Sequence, residues 1–193
     1  KEEELLELGE IHPKLLGFRA KKPLSRASLK IGRIRQEMIL IPRGEFEMGS
    51  HPGVPGVTPE EMPAHRVSLS KSFWMLSSPV TQKLYQSLFG RNPSRFINPN
   101  KPVEQVSWHD AIQFCNALSL RENLQPCYEV DPNDNENVRW KRDANGYRLP
   151  TEAEWEFAAR AGRGYIYAGS NDPLEVAWFE ENADGQTHII DLK

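Results

Sequence analysis

The chain has 193 residues, of which 38% are hydrophobic and 9% aromatic, which is enough for one domain with a substantial core. Its 24 basic and 27 acidic residues leave a net charge of −3, so global charge identifies no partner. No apolar run approaches the roughly 20 residues of a transmembrane helix, and the first residues lack the basic-then-apolar order of a signal peptide. We therefore expect no transmembrane segment, and we take the cytoplasm as the default compartment.

Charge is unevenly distributed near the start of the chain. Residues 1–10 contain one Lys and five Glu, whereas residues 11–36 contain eight basic residues, no acidic one and several interleaved apolar ones. Two interpretations stay open for residues 11–36: a solvated linker or strap along the chain's own acidic domain, and an arm that binds an anionic partner, either lipid or nucleic acid. We expect residues 1–36 to form a charged arm or linker, followed by the folded domain at 37–193.

The first part of this domain has the pattern of strands and turns. Residues 38–42 predict a short buried strand that proline terminates. Residues 43–50 predict a turn, a strand and a second turn, and the proline-rich residues 51–63 predict a loop. From residue 65 onwards, hydrophobic side chains occupy the odd positions with one break at Lys71, which is the period of a half-buried strand.

Three helices have recognisable N-terminal signals. Thr81, Ser107 and Thr151 can each act as an N-cap, and Thr151 forms a capping box with Glu154. The predicted helices span residues 81–89, 108–122 and 151–161.

The predicted elements define a fold class and a core. Helices are few, loops are long, and no β-α-β rhythm is present, so we predict an α+β domain. The polar run at 131–137 predicts a turn between the second and third helices. We expect the buried residues to include Trp108, Ile112, Leu118, Leu149, Trp155 and Phe157.

Few residues suggest a metal or catalytic site. The sequence has no phosphate-binding loop, no nucleophile elbow and no pair of histidines at helical spacing. The polar run at 131–137 lacks the glycine and glutamate that a calcium-binding EF-hand loop requires. Asn182 and Asp184 form a somewhat better cluster of oxygen ligands, and we predict them as the candidate calcium site.

The two cysteines differ in their predicted environment. Cys115 lies on the apolar face of the second helix, so we expect a buried structural thiol. Cys127 follows a proline in a loop, where we expect greater exposure. Neither cysteine has a neighbouring base that would activate it, so we assign neither as a nucleophile.

Several strings, taken in order, resemble one family. They are IPRGEFEMGS at 41–50, PVEQVSWHDA at 102–111 and, most specific of all, YRLPTEAEWEFAAR at 147–160. In this order they resemble the formylglycine-generating enzyme, or sulfatase-modifying factor, family, and the pattern is most similar to bacterial members. The resemblance covers about residues 38–190 and implies an irregular, loop-rich C-type-lectin-like fold.

The resemblance implies an oxidase activity, but this sequence lacks some of the residues that the activity requires. Family members that generate formylglycine are copper-dependent oxidases with a cysteine pair in the C-terminal part of the domain. The chain stops at Lys193, before the strings that surround this pair, so the domain looks truncated at its C-terminal end. Neither Cys115 nor Cys127 matches the copper pair, and no catalytic residue can be transferred.

Two functional hypotheses follow from the resemblance. The first is a non-catalytic binding or structural module that recognises a protein or a small ligand through its lectin-like surface. The alternative is the N-terminal portion of a copper-dependent oxidase that converts a sulfatase cysteine to formylglycine. Under this alternative, copper is expected only if a C-terminal segment supplies the cysteine pair.

Overall fold

A computed structural model describes residues 24–54, 56–131 and 133–193, without the side chains of residues 135 and 136. The predicted arm at residues 1–23 lies outside the described residues. In chain order the elements are β1 (Arg26–Ile31), β2 (Ile34–Ile41), β3 (Gly44–Met48), a 3₁₀ turn (Pro59–Glu61), β4 (His65–Leu69), β5 (Phe73–Leu76), α1 (Gln82–Phe89), α2 (Trp108–Arg121), β6 (Tyr128–Asp131), β7 (Asp134–Trp140), α3 (Glu152–Arg160) and the single turn α4 (Pro173–Val176).

The largest sheet of the described residues has the antiparallel order β1-β2-β5. A tight hairpin joins β1 to β2, with Ile31 opposite Ile34 and Gly32 at a φ of 58°. Glycine suits the first central position of such a turn, because a Cβ would disfavour a positive φ there. The sheet therefore includes residues 26–36, which the charge pattern had assigned to the arm, and ordered structure begins before residue 37.

The two faces of this sheet cover two separate hydrophobic clusters. On one face, Leu29 and Ile31 of β1 pack with side chains of α1 and α2; the buried residues of this helix-side cluster are Leu29, Ile31, Leu84, Tyr85, Phe114 and Leu118. On the other face, Ile41 packs against Phe46 of β3 and Phe157 of α3. Successive side chains of a strand point to opposite faces, so β2 contributes to both clusters with alternating residues.

Two smaller hairpins complete the strands. In the first, β3 pairs with β4 and places Phe46 opposite Val67. In the second, β6 pairs with β7, with an irregularity between Val130 and Asp131. The polar run at 131–137 is therefore not a turn along its whole length, because the second strand already begins at Asp134.

The three predicted helices are confirmed to within one residue at each end. Ser107 caps α2 by accepting a hydrogen bond from the Asp110 amide, and Thr151 caps α3 by accepting one from the Glu154 amide. The hydroxyl of Thr81 precedes α1 but makes no capping hydrogen bond, and it is buried with no hydrogen-bond partner among the described residues. The mixed strands, helices and long loops define an α+β fold, as predicted.

The predicted core was right for three residues and wrong for two. Ile112, Leu118 and Phe157 are at most 2% exposed, whereas Trp108 is 53% and Trp155 is 57% exposed. Leu149 is half-buried. Trp108 lies in the first turn of α2, where its ring makes edge contacts with the rings of His109 and Tyr128, at centroid distances of 5.1 and 6.4 Å, and about half of the side chain stays exposed to solvent.

Candidate functional site

An open cavity of about 960 Å³ lies between the β1-β2-β5 sheet, helices α1 and α2, and the segment that leads into α3. The sheet side is formed by β1, β2 and β5, and the opposite side by residues 145–150 and the start of α3. Most of the lining side chains are apolar, among them Met38, Leu76, Val80, Tyr85, Phe114 and Leu149. A concave, largely apolar site of this size is the usual form of a ligand-binding site.

Two tryptophans lie at the cavity and are exposed to solvent. Trp74 of β5 is 45% exposed and Trp155 of α3 is 57% exposed. The position of Trp74 follows from the geometry of its strand. Phe73 and Met75 pack in the cluster around Phe157, and the alternation of a strand sends Trp74 to the opposite face. Exposed indole rings beside an apolar cavity offer large, rigid contact surfaces, as binding sites commonly do.

The β5 strand adds unpaired backbone groups to the site. The Leu40 amide donates to the Ser25 carbonyl, on the β1 side of β2. Leu40 therefore has no backbone hydrogen bond to Trp74, which lies opposite it in β5. By the same alternation, the backbone groups of Trp74 and Leu76 point to the free edge of the sheet. Within the described part of the chain, they have no hydrogen-bond partner there.

A bidentate ion pair lies in the cavity wall. The two terminal guanidinium nitrogens of Arg148 donate to the Glu154 carboxylate at 2.6 Å, and the Thr151 amide donates to the same carboxylate at 2.9 Å. Burial acts to raise the pKa of Glu154, but the hydrogen bonds from Arg148 and Thr151 together lower it. The carboxylate thus stays charged and fixes the start of α3 against the segment before it.

Cys115 lines the cavity, and both cysteines are buried thiols. Cys115 is 7% exposed, as expected, but Cys127 is fully buried, so its predicted exposure was wrong. The side-chain amide of Asn116 bonds to both the carbonyl and the amide of Tyr128, which holds the Cys127 segment against α2. Burial raises the pKa of Cys127, and it raises the pKa of Cys115 to about 12. Both thiols are therefore neutral at physiological pH and are poor nucleophiles.

The candidate calcium residues lie in the C-terminal loop. The side-chain Oδ1 of Asn182 accepts a hydrogen bond from the Phe179 amide at 2.8 Å, and its side-chain NH₂ group donates to the Ala177 carbonyl. Asp184 is exposed and occupies a left-handed turn position at a φ of 49°. No group of three or more His, Cys, Asp or Glu side chains in residues 24–54, 56–131 and 133–193 is arranged to hold a metal. Calcium binding at Asn182 and Asp184 stays a prediction.

Among the described residues, no helix combines the length and the apolar character that crossing a bilayer requires.

The sequence and fold place the chain in a family. The α+β fold with its C-type-lectin-like neighbours is that of sulfatase-modifying factors and formylglycine-generating enzymes. Residues 29–189 match the family model described as sulfatase-modifying factor enzyme 1-like domain, and the chain belongs to this family.

The chain is similar to individual proteins over part of their length. It is 46% identical over 132 residues to the chaperone protein LppX of Paenibacillus barcinonensis, covering 61% of this chain and 47% of that protein. It is 28% identical over 180 residues to the mouse inactive C-alpha-formylglycine-generating enzyme 2, covering 77% of this chain and 56% of that protein. Thus the chain spans about half the length of these relatives.

A solved structure agrees with the fold over most of the described residues. Treponema denticola variable protein 1 superimposes with a TM-score of 0.77 and 30% sequence identity. The match covers 87% of this chain and 69% of that one. Because family folds carry many functions, the shared scaffold does not by itself assign an activity.

Proposed function

We propose that the chain is a non-catalytic binding module that holds an extended, apolar polypeptide segment in the cavity beside β5. The observation that carries this proposal is the open apolar cavity of about 960 Å³, with Trp74 and Trp155 exposed at it. Burying exposed aromatic surface is favourable, and tryptophans supply a large share of the binding energy in many protein interfaces.

The free edge of β5 favours a polypeptide over a small ligand. An extended segment can add to an exposed sheet edge through main-chain hydrogen bonds while alternate side chains enter pockets. Here the outward backbone groups of Trp74 and Leu76 lie at the cavity that would receive those side chains. One relative is named a chaperone, a class of protein that acts on other polypeptides, and this agrees with the proposal.

The experiment uses reduced, carboxymethylated α-lactalbumin as a permanently unfolded polypeptide. We expect the wild-type chain to bind it in a fluorescence-anisotropy titration, and we expect Trp74→Ala with Trp155→Ala to weaken binding at least tenfold. Trp178→Ala is the matched control, because Trp178 is 40% exposed but stacks on His188 away from the cavity. Equal weakening by the control, or no binding by the wild type, would contradict the proposal.

The competing hypothesis, a formylglycine-generating oxidase, can be tested on the same preparation. A copper(I) oxidase needs accessible thiolates, since soft sulfur ligands select this ion. Burial and the raised pKa of Cys115 work against this role. We expect a sulfatase-type cysteine peptide to keep its thiol after aerobic incubation with copper, as measured by mass spectrometry. Aldehyde formation that is lost in Cys115→Ser or Cys127→Ser would overturn the non-catalytic assignment.

Two ionic partners complete the proposal. We propose that Asp184 and Asn182 bind a calcium ion. The test is calorimetric titration of CaCl₂ into the wild type and into Asp184→Asn. Heat of binding should be present in the first and absent from the second.

We also propose an anionic partner for the basic residues of 11–36. Those of this group within the described residues, Arg26, Lys30, Arg33 and Arg35, are all exposed.

A further inference from the structure

The hairpin of β1 and β2 has an uncompensated positive charge at its turn. Lys30 and Arg35 are directly opposite each other in the strand register, and Arg33 lies in the turn between the strands. All three side chains are exposed, and none makes an ion pair within the described part of the chain. Charge at the other end of the hairpin is neutralised, because Arg26 bonds to both carboxylate oxygens of Glu37 at 2.8–2.9 Å.

The strand geometry forces the Lys30 and Arg35 side chains close together. The backbone N–H and C=O groups of successive β2 residues point alternately to β1 and to β5, and those of Leu40 point to β1. The backbone groups of Arg35 therefore point away from β1. Its pair with Lys30 is of the non-hydrogen-bonded type, in which side chains approach most closely. Like charges in such a pair are destabilising. An anionic surface bound at this point would remove the repulsion.

The face on which the two cations lie is also accessible. Leu29 and Ile31, their neighbours in β1, point the other way into the helix-side cluster and are at most 4% exposed. Lys30 and Arg35 therefore lie on the opposite, solvent-facing side of the hairpin. A flat surface could approach them without displacing any core side chain.

The sequence before the hairpin favours a membrane surface over nucleic acid. Residues 11–23 add four basic residues, and they also include Leu15, Leu16 and Phe18. Basic residues mixed with aliphatic and aromatic ones are typical of segments that lie at the interface of an anionic bilayer. Binding to nucleic-acid backbones is dominated by charge and does not require the aliphatic residues.

We propose that the turn end of this hairpin, formed by Lys30, Arg33 and Arg35, docks on the anionic surface of a lipid bilayer. This inference rests on the proposed anionic partner of residues 11–36 and names its class. Each basic residue near an anionic bilayer strengthens binding by roughly fivefold, so the three together account for a factor on the order of 100. The attraction falls steeply as salt screens the surface charge.

The test is co-sedimentation of the full chain with sucrose-loaded vesicles of phosphatidylcholine and phosphatidylserine at a 70:30 ratio. We expect binding in 50 mM salt that weakens at least tenfold in 300 mM salt, and no binding to pure phosphatidylcholine. The triple variant Lys30→Gln, Arg33→Gln, Arg35→Gln should lose binding by a factor on the order of 100. The matched control is Lys71→Gln, Arg121→Gln, Arg163→Gln, which removes the same charge from residues with no ion pair among those described. Circular dichroism of both variants would confirm that they are folded.

Each alternative outcome has a definite meaning. Equal loss in the control variant would overturn the hairpin as the docking site. Binding to a 20-base-pair DNA duplex without binding to the vesicles would overturn the membrane proposal but retain an anionic partner. Failure to bind either at 50 mM salt would remove both. Polypeptide binding by the cavity is measured separately, so its failure would leave the vesicle result intact.

Discussion

The two sides of helix α3 differ sharply in how they are covered. Phe157 is 1% exposed and packs on Phe46 with ring centroids 5.3 Å apart, whereas Trp155 is 57% exposed at the open cavity. Two positions along a helix correspond to a rotation of about 200°, so these aromatic residues must point in nearly opposite directions. One side of the helix builds the closed core, and the other borders the cavity.

This contrast separates stability from recognition. The closed side joins β2, β3 and α3 through Ile41, Phe46 and Phe157, so removing a side chain there creates a void. The cavity side has apolar surface that is already in contact with solvent. A substitution on that side should therefore change binding more than it changes the free energy of unfolding.

The largest expected effect on stability is at the closed side. Phe157→Ala should lower the free energy of unfolding by about 3–5 kcal/mol, because a fully buried aromatic side chain is lost and its neighbours cannot close the space. Equilibrium urea unfolding monitored by circular dichroism would measure this loss. A loss below about 1 kcal/mol would show that the Phe46–Phe157 cluster does not hold α3 in place.

A smaller but clear loss is expected at Gly146, where the cavity wall meets α2. A Cβ at this position would lie 2.2 Å from the Gln125 carbonyl oxygen and 2.5 Å from the Ser119 hydroxyl. Gly146→Ala must therefore displace backbone, and we expect a loss of about 1–3 kcal/mol in the same unfolding experiment. An unchanged free energy of unfolding would mean that the backbone around Gly146 moves easily to make room for a Cβ. The cavity wall would then not be rigid at this position.

The third prediction uses two threonines at helix N-termini as a matched pair. Thr151→Val removes the hydroxyl that accepts from the Glu154 amide at 3.2 Å and should cost about 1 kcal/mol. Thr81→Val removes a buried hydroxyl that has no hydrogen-bond partner in the described part of the chain, and it should cost less. Comparable losses in the two variants would contradict the view that the cap, rather than the side-chain shape, stabilises α3.

The smallest effect on stability is expected at the exposed side of α3. Trp155→Ala should change the free energy of unfolding by no more than about 0.5 kcal/mol, as surface substitutions usually do. The same variant should weaken polypeptide binding. Urea unfolding of this variant and of Phe157→Ala under the same conditions would compare their losses in the free energy of unfolding. Similar losses would contradict the distinction between the two sides of α3.

The exposure of Trp155 also shows where prediction from sequence failed. The motif around it identifies the family, and its capping box correctly places the start of α3. Both Trp155 and Phe157 were expected in the core because both are large and apolar. Their two-residue spacing already forbids a shared face on one helix, but only the tertiary packing shows which of them is covered.

Cys127 shows the opposite error, because it was expected to be exposed and is buried. Its position after Pro126 suggested an exposed loop, yet the segment is held against α2 by the hydrogen bonds between Asn116 and Tyr128. No local pattern predicts this contact, because it joins residues 12 positions apart through a side chain. The start of the sheet was missed for a related reason: the many cations of residues 26–36 obscured the alternation of Leu29 and Ile31.

The sequence by itself determined the family, the α+β class and the three main helices of the chain. These features depend on short-range physics, namely capping hydrogen bonds and the helical period, together with a specific motif. Only the tertiary structure decided the burial of Cys127, the pairing of β1 with β2 and of β2 with β5, and the cavity at Trp74 and Trp155. Burial and cavity shape depend on which distant segments cover a residue, and that information is not contained in the residue's own neighbours along the chain.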